Sequence, residues 1–547
     1  MRERLTAVLF FFAASAAYAQ SGTQPQFSAD RVRADVAFLS DDLLQGRDTG
    51  SVGHEIAARY VASRFAALGV RPAGENVTYY QRITFHRTEP AGAPGTVTIS
   101  GPAGQHQWAH ATDVLVALND LEPSYDVSGP LVFVGYGLES PRLGIDDYRG
   151  LDVKGKIVVA LRGFPKGMES EQGAHLAATK AEAAERHGAI GMVSIDTNLS
   201  AKTRPWNLLV HFADNPHFTW VAPDGKPFVE APGIRASATL DRTAAEAAFA
   251  GAPQSLDSIL NQADHDGADP KGFALKTKVR ITKHGRSGRV TSPNVAAMIR
   301  GSDPALAKQY VVLSAHLDHI GISPPQSGDT PQTDRINNGA LDNAAGIATM
   351  LEVARAAAKA PTRPRRSIIF LASTGEETGL LGADYFARHP TVPISSIVGN
   401  VDLDMPLLLY HFTDLVAFGA NHSTLGPLTS AAVAPMNVKL SPDPMPEESI
   451  FVRSDHYMFV KQGVPAVFLA TGFANGGAEQ WKKFLSGNYH HPGDDMSQPI
   501  EWDSGARVAE ANYRIMRAMA DGDTPPLWYK GDFFGDIFAP GAPRAVK

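Results

Sequence analysis

Two histidines and three carboxylates, His316, Asp342, Glu377, Asp404 and His490, stand in segments that read as strand ends or the loops after them. A further acid, Glu376, adjoins one of them. Imidazole and carboxylate are ligands for divalent cations. If these segments meet in one crevice, four acids converge there, and like charges that close do not all stay ionised without a compensating cation. Two divalent ions resolve the conflict, so the set reads as a two-metal hydrolytic site.

Singly, each residue has an ordinary explanation. His316-Leu317-Asp318 closes an apolar run, and the two-residue strand period puts His316 and Asp318 on one face. The Asp318 carboxylate is thus expected to hold the imidazole N–H and fix its tautomer. Asp342 precedes AAGIATML, where an Asp is a common helix cap. Glu376 and Glu377 sit at a Gly-containing turn, Asp404 ends NVDLDM, and His490 lies in the polar stretch GNYHHPGDD. An unpaired carboxylate at the end of a buried strand is costly, which gives Asp404 some weight of its own. Their common placement near strand ends carries the ligand reading.

The elements that must position them form a regular alternation beyond Asn294. The apolar runs QYVVLSAHLD, RRSIIFLAST, SIVGNVDLDM and VPAVFLAT alternate with the helical stretches ALDNAAGIATMLEVARAAAKA and LLGADYFARH. Such alternation predicts an α/β fold with a mostly parallel, doubly wound sheet and helices on both faces. Ligands in such sheets bind outside the carboxyl ends of the strands. Earlier, Asp35–Leu44 and His54–Leu68 have helical spacing, and Gly69 stops the second run. From Tyr125 the runs PLVFVGYGL, KGKIVVALRG and HGAIGMVSI, with a helical HLAATKAEAAERHG, read as a separate α+β unit.

Hydrophobic content of 44% and charged content of 20% describe a globular chain, and 547 residues imply two or three domains. There are no cysteines, so every metal ligand is N or O, and thiolate zinc and iron–sulfur sites are excluded. Arg2 and Arg4, the apolar run Leu5–Ala17 and the small-x-small Ala17-Tyr18-Ala19 read as a signal over 1–19 cut after Ala19. Export to the periplasm or medium follows as an expectation. Cleavage takes the net charge from −7 to −8, and with no basic stripe nucleic acid is not expected as a partner. No later run is a candidate membrane span. Nothing in the sequence bears on oligomeric state.

The stretches HLDH, GALDNAAG, STGEETGLLG, NVDLDM, RSDHYMF and NYHHPGDD, in this order from Leu313 to Asp495, resemble the co-catalytic dizinc aminopeptidases, relatives of glutamate carboxypeptidase, transferrin receptor and glutaminyl cyclase. LSDDLLQGRDTGSVGHEIAARYVASRFAALG resembles the start of that catalytic domain, and GYG, DDYRGLDVKGKIVV and AIGMVSI resemble its inserted protease-associated domain. The expected division is a peptidase N-terminal part over 28–124, the insert over 125–270, the catalytic domain over 271–525 and a tail over 526–547.

The resemblance implies two Zn2+ ions, with Co2+ or Mn2+ as substitutes. Asp342 would bridge them, Glu377 and His490 would complete one, and His316 and Asp404 the other. Glu376 would be the general base, drawing a proton from the water between the metals and passing it to the leaving amine. A cis peptide is implied at Asp342-Asn343. Asp455 and His456 would line the substrate or support the ligands from behind rather than bind metal. Phe451 and Tyr489 are further candidates for substrate contact, with Tyr489 the weaker. His319 is a bystander, and His491 would face solvent or support the ligands. Phe473, Trp481 and Phe484 are further aromatic candidates for the specificity pocket. The activity implied is an aminopeptidase acting on peptides with a free N-terminus. A glutamate-type carboxypeptidase, which would need a basic pocket built on Arg335 or Arg453, is the alternative within the enzyme class, and a non-enzymatic receptor on the same scaffold the alternative outside it. Glutaminyl cyclase is disfavoured because all ligands of two metals are kept.

Overall fold

The computed structural model describes residues 25–325 and 328–547; the expected export signal lies outside them. Four parallel strands form the centre of the main sheet, in the spatial order Ser367–Ser373, Tyr310–His316, Ile397–Asp402, Ala466–Thr471. All are buried along their length apart from isolated half-exposed positions, as expected of parallel strands covered on both faces. Antiparallel strands close both sides, Gly285–Ile299 and Tyr80–Pro90 at one and Asp414–Phe418 at the other. Strand Tyr310–His316 has its two sequence successors on opposite sides. The winding reverses there, so a crevice opens at its carboxyl end, where His316 stands.

Helices Ala29–Leu39, Ala345–Ala358 and Trp502–Asp521 pack on one another, and Leu381–Arg388 packs with His456–Lys461. The helix expected over His54–Leu68 spans Val52–Ala67: the Ser51 hydroxyl accepts from the His54 N–H at 3.1 Å, and Gly69 turns the chain away at φ 72°. Residues 345–358 bury nearly every side chain, so the helix is apolar all round and lies inside the molecule.

A second sheet of eight strands forms the inserted unit. It differs from the expected 125–270 at both ends, because strands Thr96–Gly101, Gly104–Ala109 and Val114–Val116 precede Tyr125 and strand Phe273–Lys283 follows 270. Conversely His217–Trp220, inside the expected insert, pairs with Tyr80–Pro90 at the edge of the main sheet. Local periodicity marks strands but not which sheet receives them.

The two units are joined by a buried acid–histidine contact. His422 Nε2 lies 2.6 Å from Glu171 of the insert and its Nδ1 2.6 Å from Asp532 of the C-terminal segment. Beside it, His175 Nδ1 lies 2.6 Å from the Tyr457 hydroxyl. The expected tail over 526–547 is therefore structured: Phe533 and Phe534 are buried against these groups. Among the described residues no helix is long and apolar enough to cross a membrane.

Candidate metal centre

The five ligand candidates and Glu376 meet at the carboxyl end of the central strands. The two oxygens of Asp342 face two separate groups. Oδ1 lies 3.2 Å from His316 Nε2, which is 3.1 Å from Asp404. Oδ2 lies 3.2 Å from His490 Nε2, which is 3.1 Å from Glu377. Donors about 2.0–2.1 Å from a tetrahedral zinc are about 3.3 Å apart, so these spacings match the edges of two coordination shells sharing Asp342. The buried His490 Nε2 makes no aligned hydrogen bond despite two oxygens within 3.2 Å. That is the geometry of donors aimed at a common centre rather than at each other. The residues fit two cations, with three protein ligands for each and a position left open.

Electrostatics favour the same conclusion. Burial pushes the Glu376 carboxyl well above its ordinary range, and Asp404, Glu377 and Asp455 add to this against the opposing charge of His316. Burial lowers the imidazole of His316, but the charges of Glu376 and Asp404 override it and raise it well above 6.5. The cluster holds more negative charge than its histidines offset.

The backbone around the cluster is held by groups the sequence reading did not single out. Arg47, fully buried, donates to the carbonyls of Leu317 at 3.0 Å, Asn338 at 2.6 Å and Gly339 at 3.1 Å, next to His316 and Asp342. Burial lowers its pKa to about 10, and the charges of Asp494, Asp318, Asp342 and Glu377 oppose the shift. Asp494 accepts from the N–H groups of Leu341 and Asp342, both at 3.0 Å, and so ties the His490 loop to the Asp342 backbone. Asn343 donates to the Leu403 carbonyl at 2.9 Å and accepts from Met405 N at 3.1 Å, joining Asp342 to the Asp404 loop. A Cβ at Gly346 would meet Asn343 Oδ1 at 2.0 Å, so only glycine fits there. The peptide Asp342-Asn343 is cis. The signal for Arg47 was its place in the Gly-rich loop QGRDTG, where a lone Arg ordinarily reads as solvated.

Three expectations are corrected. The Asp318 carboxylate is 3.9 Å from His316 Nδ1, whereas its backbone carbonyl is at 3.2 Å. The carboxylate instead accepts from the N–H groups of Glu376 at 3.2 Å and Glu377 at 3.3 Å and from the Thr49 hydroxyl at 3.1 Å. It holds the turn that carries both glutamates. His319 is no bystander: its Nδ1 lies 2.5 Å from Glu377 Oε1, leaving Oε2 toward His490. Phe451 is core, packed on Phe534, Tyr457 and His456.

Asp455 and His456 are also buried behind the site. Asp455 is hydrogen-bonded by the Ser373 hydroxyl, while His456 packs on Phe468 and burial lowers its pKa to about 3. Tyr489 lines the pocket beside the cluster, and of the other aromatic candidates Trp481 does so too. Phe473 and Phe484 pack in or against the core. Other walls are Met405, Met445, Ile450, Phe468, Ala470 and Leu485, together with Glu448 and Arg453. Arg335 lines a different cavity. His491 is exposed, with its ring 6.1 Å from His211 of the insert. Phe212 of the insert meets the His490 ring edge-on at 6.3 Å. The inserted unit therefore reaches the rim of the site.

Residues 294–516 match peptidase family M28 and residues 127–217 match the PA domain. A probable zinc metalloprotease of Pyrenophora teres f. teres is 33% identical over 117 residues, 21% of this chain and 23% of that one. A probable leucine aminopeptidase 2 of Aspergillus oryzae is 26% identical over 228 residues, 38% of this chain and 40% of that one. The match spans about a quarter of the length of the first such relatives. An aminopeptidase from Aneurinibacillus sp. strain AM-1 shares the fold, at 18% identity with a TM-score of 0.50 over 93% of this chain and 97% of that one. Residues 294–516 are thus similar to peptidase family M28, and the stretch similar to a PA domain, 127–217, lies ahead of them.

Proposed function

We propose that the chain is a zinc-dependent exopeptidase, an aminopeptidase that removes the first residue of peptides with a free N-terminus. The observation that carries this reading is Asp342, whose two oxygens each face a separate histidine–carboxylate pair. His490, Glu377 and Asp342 would hold one Zn2+, and His316, Asp404 and Asp342 the other. When bound, the two ions would polarise the scissile carbonyl and lower the pKa of the attacking water.

The chain's own residues do the rest. Glu376 takes the proton of the water as its oxygen attacks the carbonyl carbon, and returns it to the amine as the C–N bond breaks. Asp318 fixes the Glu376 N–H and so holds this base beside the ligands without spending it as one. Met405, Met445, Ile450, Phe468, Trp481 and Leu485 enclose an apolar pocket suited to an apolar first residue. Export by the segment 1–19 belongs to the same proposal and predicts a mature N-terminus at Gln20.

One observation favours the carboxypeptidase reading as the second: Arg453 lines the pocket and supplies a basic group. Leucyl-p-nitroanilide, its N-acetylated form and an N-blocked peptide ending in glutamate separate the two. Cleavage of the free-amine substrate alone, abolished by chelator and restored by zinc, is expected. Cleavage of the N-blocked glutamate peptide would move the activity to a carboxypeptidase.

A further inference from the structure

Between the insert and the peptidase unit lies a cavity of about 340 Å³, within the size range of small-ligand sites. Its walls include Arg162, Lys180 and Arg204 from the insert and Glu447, Glu448 and Arg453 from the peptidase unit. Glu448 and Arg453 also line the pocket beside the metal ligands, so the two spaces share a wall.

Most of these charges are already engaged. Lys180 donates to the carbonyls of Leu161 and Gly163, both at 2.6 Å. Arg162 lies 3.5 Å from Asp196. Arg453 pairs with Glu448 at 3.0 Å and donates to the Tyr489 hydroxyl at 3.3 Å. Arg204 is the exception. Half-buried, its guanidinium makes no hydrogen bond or ion pair among the described residues, and the charge that acts on it most is that of Arg453, opposed by Glu448. Burial and then this like charge hold its guanidinium below the ordinary Arg range. Arginines brought together in a partly desolvated cleft are a cost that an anion removes, and a guanidinium fits a carboxylate through two parallel bonds.

We propose that Arg204, together with Arg453, binds the C-terminal carboxylate of a short peptide whose first residue lies in the apolar pocket. This rests on the exopeptidase reading and gives it a substrate class. An extended residue advances about 3.3–3.6 Å, so only a peptide of a few residues places its carboxylate in the adjoining cavity. Long chains end elsewhere and gain nothing from the arginines. The insert is then part of the substrate site, since Arg204 comes from it.

The test uses the full, zinc-loaded chain with leucyl di-, tri- and tetrapeptides, each as free acid and as C-terminal amide. Hydrogen bonds to charged groups predict that the best free acid exceeds its amide in kcat/KM by about tenfold to a hundredfold. In Arg204→Gln the acid-to-amide ratio should fall to about one, and in Arg204→Lys to a value between. Equal cleavage of acid and amide by the wild type, or a ratio unchanged in Arg204→Gln, would overturn the proposal. So would an amide with an internal glutamate that matches the free acid, which would assign the site to an acidic side chain. Calorimetric binding of a reduced-bond leucyl tripeptide, as acid and as amide, reads the same preference without turnover. A chain that cleaves nothing yet binds the acid more tightly, and loses that in Arg204→Gln, would refute the peptidase reading while leaving this one standing.

Discussion

Two buried clusters in this molecule are built from the same side chains and end differently. Around His422 two carboxylates, Glu171 and Asp532, each take one ring nitrogen at 2.6 Å. Their remaining oxygens accept from the N–H groups of Gly419 at 2.7 Å and Gly535 at 2.8 Å. That cluster is closed: every oxygen has a donor, and the imidazolium offsets half of the carboxylate charge. Around Asp342 four carboxylates face three histidines, His316, His319 and His490, and His490 Nε2 is left without an aligned partner. That cluster is open, and its ligand atoms form two groups that share Asp342. Histidine with acids is therefore no metal signature in itself; whether each buried polar atom has an aligned partner separates a structural clasp from a cation site.

Asp342→Ala breaks the contrast most severely. It should lose both zinc ions and all measurable turnover, and remove the chelator sensitivity of the melting temperature, read by metal analysis and calorimetry. Glu376→Gln sharpens it, because the ligands remain: kcat should fall by about 10²–10⁴-fold with both metals retained. Full metal content with undiminished turnover would remove Glu376 from its role.

In the closed cluster, His422→Ala should cost about 3–5 kcal/mol by leaving two buried carboxylates unpaired, with metal content unchanged. The pH dependence has a defined sign. Burial lowers the His422 pKa, but Asp532 and Glu171 override it and raise it to about 10. A pKa raised on folding gives stability that is complete below the unfolded value near 6.5 and lost as pH rises through about 10. The stability gap between wild type and variant should therefore narrow from neutral to strongly alkaline pH, while a gap that widens would contradict the clasp. Thr49→Val is the smallest change. Removing its hydrogen bond to the Asp318 carboxylate should cost about 1–3 kcal/mol in unfolding and lower kcat by displacing Glu376.

Much of the open cluster was legible in sequence because His316, Glu376, Glu377 and Asp404 stand at or just past strand ends, and continuous apolar runs such as QYVVLSAH mark those strands, whereas Asp342 and His490 lie beside helices. The closed cluster was not legible. Glu171, His422 and Asp532 come from three distant segments, each polar in an unremarkable context, and only tertiary packing brings them together. Arg47 and Asp494 were missed for the same reason, since their partners are mainly backbone groups, which carry no side-chain signal. Asp318 was read from strand period alone, but the chain leaves the strand at His316, so its carboxylate turns to the Glu376 loop. Sheet membership of 96–116 and 273–283 likewise depends on pairing that local pattern does not encode.

Calorimetric titration of the chelator-treated full chain with zinc tests the central claim most directly. Two equivalents bound per chain, and none in Asp342→Ala, is the predicted result. A single equivalent, or two that survive the loss of Asp342, would contradict a pair of metal positions sharing that carboxylate.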